Sequence, residues 1–148
     1  MSTTTPTFSA QILGQTEKAL NAILDRELIG TGLTERLWVP LTVTAGSGGT
    51  LDRDQLVQRL TDGVKVSEAE AQARIAELVA AGLLEAPDGD GKPVTLTEAG
   101  QKLHGQTRAF VAEVTERMWG DLPLEELTTA GRVLSIILER ADAELAAA

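Results

Sequence analysis

The side chains best suited to proton or anion chemistry lie four residues apart in one predicted helix. His104 is the only histidine of the chain, and histidine is the side chain whose ordinary pKa lies near neutrality. Arg108 follows on the same face of the helix. With Trp38 and Phe110 as apolar walls, the pair could bind an anionic or phenolic ligand. His104 is the candidate group for moving a proton.

These residues also have simpler explanations. A lone histidine on an amphipathic helix is more often a rim or solvent-facing residue, and a tryptophan such as Trp38 more often packs in a core. The chain has no cysteine, no clustered spacing of metal ligands and no pair of carboxylates in an apolar setting. We therefore expect no metal and no cofactor. No motif indicates an enzyme, and if the chain is one, its chemistry would use His104.

Most of the chain has the three- and four-residue apolar spacing of helices. The first predicted helix is capped by Ser9 and ended by Gly30 and Gly32, and the second is capped by Thr34. A third helix runs from about Leu51 to Leu60, and a fourth is opened by Ser67 and stopped by Gly82. A small hairpin follows, then a long helix from Thr97 to about Trp119 and a last helix from about Leu124. The fold class is mostly α with a small β-hairpin, a winged helix-turn-helix between N- and C-terminal helices. The wide apolar faces of these terminal helices indicate a dimer interface.

Five segments occur in the order and spacing of the MarR family of winged-helix regulators: GLTERLW at 32–38, LVQRL at 56–60, VSEAEAQARIAELVAAGLL at 66–84, VTLTEAG at 94–100 and LPLEELTTAGRVL at 122–134. The chain resembles this family over about residues 10–142. The resemblance implies a single MarR-like domain at 1–148, with dimerisation helices at 9–31 and 97–146 and a winged helix-turn-helix at 34–96. Its recognition helix would be 67–81 and its wing about 85–94.

The resemblance also implies how such a protein works. Members of the family are homodimers that usually repress genes and release DNA when a phenolic or other small ligand binds. The ligand pocket often lies where the dimer region meets the winged helix, and Asp25 and Arg26 would adjoin it. We therefore expect the partners to be a second copy of the chain, a small aromatic or anionic ligand, and DNA.

The predicted DNA-binding surface is acidic. The family commonly has arginine, serine and threonine at the outward positions of its recognition helix, where this chain has Glu68, Ala69, Glu70, Gln72 and Ala73. From residue 51 to 93 there are five basic and nine acidic side chains, a net charge of −4. Lysine and arginine contacts to phosphate supply most DNA affinity, so we predict weak or narrow binding. The candidate contacts are Arg53, Arg59, Lys65 and Lys92 for the backbone and Glu68, Glu70 and Gln72 for bases.

Glu70 also has a structural interpretation. Ser67 and Glu70 have the spacing of a capping box, in which the serine accepts a main-chain hydrogen bond and the glutamate reaches back to the serine N–H. The helix dipole favours anions in this first turn as well.

Three functions remain open. The chain could be a homodimeric, small-molecule-responsive transcriptional regulator with unusually weak or narrow DNA binding. It could instead be a MarR-scaffold protein that has lost DNA binding and acts through its pocket, as a small-molecule binder or an enzyme of secondary metabolism. An acidic interaction module for a basic partner is the third. Since the sequence shows neither a signal peptide nor an apolar run of about 18 residues, we expect a cytoplasmic protein without a membrane partner.

Overall fold

A computed structural model describes residues 6–89 and 91–147. Within these ranges the elements are α1 (Ala10–Leu28), α2 (Glu35–Gly46), β1 (Thr50–Asp52), α3 (Arg53–Val64), α4 (Glu68–Ala80), β2 (Leu84–Glu85), β3 (Pro93–Leu96), α5 (Glu98–Trp119) and α6 (Leu124–Ala146). The predicted fold class, mostly α with a winged helix-turn-helix between terminal helices, is confirmed. Asp90, in the predicted wing turn, lies outside the described residues.

Helix ends follow the local chemistry of the sequence. Ser9 Oγ accepts a hydrogen bond from Ile12 N–H at 3.2 Å and so caps α1, and Thr97 Oγ1 accepts one from Gly100 N–H at 2.9 Å in the first turn of α5. Gly82 has a φ of 76° just after α4, a conformation that glycine adopts without strain. These three predicted boundaries are confirmed.

The sheet has one strand more than the sequence predicted. Its order is β1–β3–β2, all antiparallel, with Leu51 opposite Val94 and Leu84 opposite Leu96. The helix predicted from about Leu51 to Leu60 is present, but it begins at Arg53 and continues to Val64, and Leu51 itself lies in β1. A three-residue strand is too short to show an alternating pattern, so the apolar side chain of Leu51 could equally be assigned to the helix that follows.

Internal contacts divide the chain into two units between Ala109 and Phe110. The first unit contains the winged helix and its buried core, whose largest fully buried apolar side chains are Leu41, Leu56, Leu60, Ile75, Leu78, Leu84 and Val94. Val79 is 38% exposed, whereas Ile75 and Leu78 of the same helix are fully buried. Because one helical turn takes 3.6 residues, Val79 is offset around the helix from Ile75, four residues earlier, and lies at the edge of the apolar face of α4.

The second unit consists of the C-terminal part of α5 together with the whole of α6. No residue from Leu124 to Ala146 is buried, although α6 carries an apolar stripe. The stripe recurs at alternating spacings of three and four residues, through Leu124, Leu127, Gly131, Leu134, Leu138, Ala141 and Leu145. This spacing is typical of a helix that packs along another helix. Except at the half-buried Leu127, the stripe is exposed in the single chain, with Leu138 at 60% and Leu145 at 62%.

Candidate functional site

Two of the residues predicted to line a pocket contact each other. Trp38 of α2 and His104 of α5 are stacked, with ring centroids 5.2 Å apart and an interplanar angle of 19°. Both side chains are half-buried. Burial, and to a lesser extent the positive charge of Arg108, lowers the pKa of His104 below its ordinary value. A lowered pKa favours the uncharged imidazole, in which one nitrogen donates and the other accepts hydrogen bonds.

The other predicted pocket residues contribute less directly. Arg108 is exposed and acts on His104 through its charge. Phe110 is half-buried and lies on the other side of the division between the two units. Arg26 is exposed in the last turn of α1, where a cation interacts favourably with the helix dipole.

Asp25 has a structural role that the sequence did not indicate. Its Oδ1 accepts a hydrogen bond from Glu35 N–H at 2.6 Å, and so satisfies a free N–H group at the start of α2. Thr34 occupies the N-cap position of α2, but its side chain makes no capping hydrogen bond. Thr34 was correctly predicted as the N-cap residue, but the prediction that its side chain caps the helix was wrong, because the Asp25 carboxylate of α1 supplies the acceptor.

The first turn of α4 is built differently from the predicted capping box. Ser67 Oγ accepts a hydrogen bond from Glu70 N–H at 3.1 Å, which is the predicted serine half. The Glu70 carboxylate instead accepts from Arg74 Nε at 3.1 Å and from Arg36 Nη2 at 3.2 Å. Two guanidinium groups bind a carboxylate more strongly than a single main-chain N–H does. Arg74, then Arg36, lowers the pKa of Glu70 below its ordinary value.

Arg36 connects α2 to α4 at several points. Its guanidinium also pairs with Glu77, the main cause of a raised pKa for Arg36, and its main-chain carbonyl accepts a hydrogen bond from Arg74 Nη1 at 3.2 Å. We call Arg36, Glu70, Arg74 and Glu77 the α2–α4 charge network. Arg36 was not among the residues predicted from the sequence to be functional. Its position four residues before Pro40 is the signal that could have identified it, because the proline deprives the Arg36 carbonyl of its helical donor.

Arg53 and Gln72, two of the predicted DNA contacts, bind each other. Arg53 Nη1 donates to Gln72 Oε1 at 2.8 Å, and Nη2 donates to the carbonyls of Ala86 at 3.0 Å and Pro87 at 3.4 Å. Arg53 therefore ties the start of α3 to α4 and to the base of the wing. With Glu70 in the α2–α4 charge network, Arg53, Gln72 and Glu70 are three candidate contacts whose side chains bind other side chains of the chain.

The remaining four candidates, Glu68, Arg59, Lys65 and Lys92, are exposed. Lys65 follows α3 with a φ of 59°, and its Nζ donates to the carbonyl of Asp62 at 2.5 Å. The carbonyl of Lys92 accepts from Arg53 N–H at 3.1 Å, which fixes the returning end of the wing beside α3. The exposed positive charge among these candidates is therefore limited to Arg59, Lys65 and Lys92.

Two further properties concern residues 6–89 and 91–147 alone. No group of three or more histidine, aspartate or glutamate side chains there is placed to hold a metal ion. No helix there is both long enough and apolar enough to cross a membrane.

No protein-family model matches this chain, and neither does any curated protein sequence. Solved structures do match it closely in fold. A MarR protein from Peptoclostridium difficile is 19% identical with a TM-score of 0.77, over 97% of this chain and 95% of that one. AbsC, a MarR family transcriptional regulator from Streptomyces coelicolor, is 20% identical with a TM-score of 0.74, over 94% and 99% of the two chains.

An organohalide-sensing transcriptional regulator, solved in its 2,4-dichlorophenol-bound form, is 16% identical with a TM-score of 0.76, over 92% of this chain and 83% of that one. At this level of sequence identity, structural similarity shows that the chains share a fold. The chain therefore has the winged-helix fold of the MarR family of transcriptional regulators.

Proposed function

We propose that this chain is a homodimeric, small-molecule-responsive transcriptional regulator that binds DNA weakly or with narrow sequence selectivity. The observation that carries the proposal is the exposed first turn of α4 beside the wing, in a fold whose solved neighbours are transcriptional regulators. Glu68, Ala69 and Ala73 are exposed in the N-terminal half of that helix. A glutamate there can accept a hydrogen bond from the amino group of cytosine.

The placement of positive charge supports weak binding. Arg53 and Arg74 are half-buried and hydrogen-bonded within the chain. Within the described part of residues 51–93, the exposed cations are Arg59, Lys65 and Lys92. Lys65 also donates to the carbonyl of Asp62. Two protomers would therefore make at most about six phosphate contacts, the low end for an ordinary site, and log K would fall against log salt with a slope no steeper than about −5.

The Trp38–His104 pair supports response to an aromatic ligand. A neutral imidazole stacked on an indole offers an aromatic surface with one hydrogen-bond donor and one acceptor. Arg108 adds a positive charge close enough to affect His104. A phenol or an aromatic carboxylate matches this chemistry, and one structural neighbour was solved with 2,4-dichlorophenol bound.

The apolar stripe of α6 supports dimerisation. A helix of 23 residues with none of them buried leaves its leucines in water unless a second surface covers them. The three-and-four spacing of the stripe suits a second helix. We therefore assign residues 9–31 and 97–146 to a dimerisation region and 34–96 to the winged helix-turn-helix.

A fluorescence-anisotropy titration tests the DNA-binding part of the proposal. The full chain is titrated into DNA from around its own gene at two salt concentrations, with scrambled DNA of the same composition as control. Specific binding that weakens with salt is expected. Absence of specific binding even at low salt would contradict a regulatory function.

A second function is favoured by the placement of Arg53, Glu70 and Gln72. All three are hydrogen-bonded within the chain, as expected of a MarR scaffold that no longer binds DNA and acts through its pocket. Such a protein would be a small-molecule binder or an enzyme of secondary metabolism with His104 as its proton-transfer group. Thermal-shift screening with phenols and aromatic carboxylates tests this function. A hit should be weakened by His104→Ala and Arg108→Ala, and stabilisation by none of these ligands would contradict it.

A further inference from the structure

Pro40 leaves one main-chain carbonyl of α2 without its helical hydrogen bond, and a residue of α4 supplies a donor in its place. The helix continues without a break from Glu35 to Gly46, with Pro40 inside it. Because proline has no main-chain N–H, the carbonyl of Arg36, four residues earlier, has no helical donor. Arg74 Nη1 donates to this carbonyl at 3.2 Å. The turn of α2 that contains Trp38 is thus completed by a side chain of the predicted recognition helix.

The rest of the α2–α4 charge network holds Arg74 in this position. Arg74 Nε donates to Glu70 at 3.1 Å, and Glu70 in turn accepts from Arg36 Nη2 at 3.2 Å. The side chain of Arg74 is only 14% exposed, so solvent and salt screen its hydrogen bonds less than those of a surface ion pair. Both the main chain and the side chain of Arg36 are consequently bound to α4.

Trp38 lies two residues after Arg36, and side chains two residues apart do not share a helix face. Arg36 faces α4, whereas Trp38 stacks on His104 of α5. Pro40 and Leu41, in the same stretch of α2, are fully buried. A close-packed segment of this kind transmits a displacement and does not absorb it. The α2 turn therefore connects α4 on one side to His104 on the other.

We propose that Arg74 is a positioning residue that couples α4 to the Trp38–His104 pair through the carbonyl of Arg36 left free by Pro40. This rests on the proposed function, in which the pair is the ligand-responsive end and α4 the DNA-facing end. A ligand that displaces Trp38 would move the Arg36 carbonyl and with it Arg74. By linkage, any constraint on α4 acts equally on the aromatic pair.

The coupling can be measured with Trp38 as the reporter, without DNA or ligand. Trp119→Phe leaves Trp38 as the only tryptophan, and acrylamide quenching of its fluorescence reports its exposure. In this background Arg74→Met should raise the quenching constant about twofold, because a turn with an unpaired carbonyl opens more readily. Arg59→Met removes the same charge from an exposed position of α3 and should leave the quenching constant unchanged.

Pro40→Ala separates the proposed coupling from a general loss of packing. Alanine supplies the main-chain N–H that proline lacks, so the Arg36 carbonyl regains its helical donor. In the Pro40→Ala background, Arg74→Met should therefore have little effect on Trp38. An equal rise in quenching with and without Pro40, or no rise in a folded Arg74→Met protein, would overturn the proposal.

If Arg74→Met does not fold, Glu70→Gln provides the same comparison. It weakens the contact that holds Arg74 Nε, and its effect on Trp38 should likewise be suppressed by Pro40→Ala. Equal effects in the two backgrounds would again reject the coupling. Because no DNA or ligand is present, this result is independent of the DNA titration, and the proposed function and the coupling can fail separately.

Discussion

The Asp25 carboxylate of α1 lies 2.6 Å from the main-chain nitrogen of Glu35 and caps α2 from outside that helix. Residues 29–34 between α1 and α2 are held in place by this bond, because it joins the end of one helix to the start of the next. Arg36, Trp38 and Pro40 all follow within the first turns of α2, so the start of α2 sets the position of both the charge network and the aromatic pair.

Asp25→Ala should destabilise the protein by about 0.5–2 kcal/mol, the usual cost of removing a helix-capping side chain. Thr34→Ala is the matched control, since Thr34 holds the N-cap position without a side-chain hydrogen bond. Urea unfolding followed by circular dichroism measures both. A larger loss for Thr34→Ala than for Asp25→Ala would show that the cap is assigned to the wrong residue.

Gly100→Ala should destabilise the winged helix by at least the 1–3 kcal/mol typical of overpacking. A Cβ on Gly100 would lie 2.2 Å from the carbonyl oxygen of Leu83 and 2.8 Å from Leu96. The first of these is a main-chain atom, which cannot turn aside as a side chain can. The measurement is again the free energy of unfolding.

Gly105→Ala, one and a half turns further along α5, is the control for that substitution. No heavy atom lies within 4 Å of its Cβ position, so alanine should stabilise the helix by up to about 1 kcal/mol. Opposite signs for the two variants are expected. Equal effects would mean that α5 does not pack against Leu83 at Gly100.

The elements that the sequence predicted well are those with strong local signals. Ser9, Ser67 and Thr97 each accept the predicted main-chain hydrogen bond. The candidate site was harder to predict, because its contacts join residues distant in the chain. Nothing local pairs Arg53 with Gln72, which are 19 residues apart, or Arg36 with Glu77, which are 41 apart.

Below about pH 6.5, His104 should make the folded state less stable. Its folded-state pKa is lower than its ordinary value of 6.5, so the unfolded chain takes up a proton first as the pH falls. Stability is therefore lost from the unfolded-state pKa down through the folded-state pKa. Glutamine does not titrate, so the unfolding free energy of His104→Gln relative to the parent should rise as the pH falls through this window.

Glu70 contributes to pH dependence in a different window. Arg74 and Arg36 lower its folded-state pKa below the ordinary 4.5, so its contribution is fully present above that value and is lost as the pH falls through the folded-state pKa. Measuring the free energy of unfolding at pH 7.5, 6 and 5 separates the contribution of His104 from that of Glu70, because all three values lie above 4.5.

A constant difference in unfolding free energy between the parent and His104→Gln at these three pH values would contradict a lowered pKa for His104.

Leu138→Glu should convert a dimer into a monomer, as measured by light scattering after gel filtration. Leu138 lies in the apolar stripe of α6 and is 60% exposed in the single chain, so a charge there would be buried unpaired if a second copy covers the stripe. Thr129→Glu introduces the same charge at an exposed position on the opposite face of α6 and should leave the mass unchanged. A parent protein that is monomeric at micromolar concentration, or a Leu138→Glu dimer, would exclude the α6 stripe as the interface.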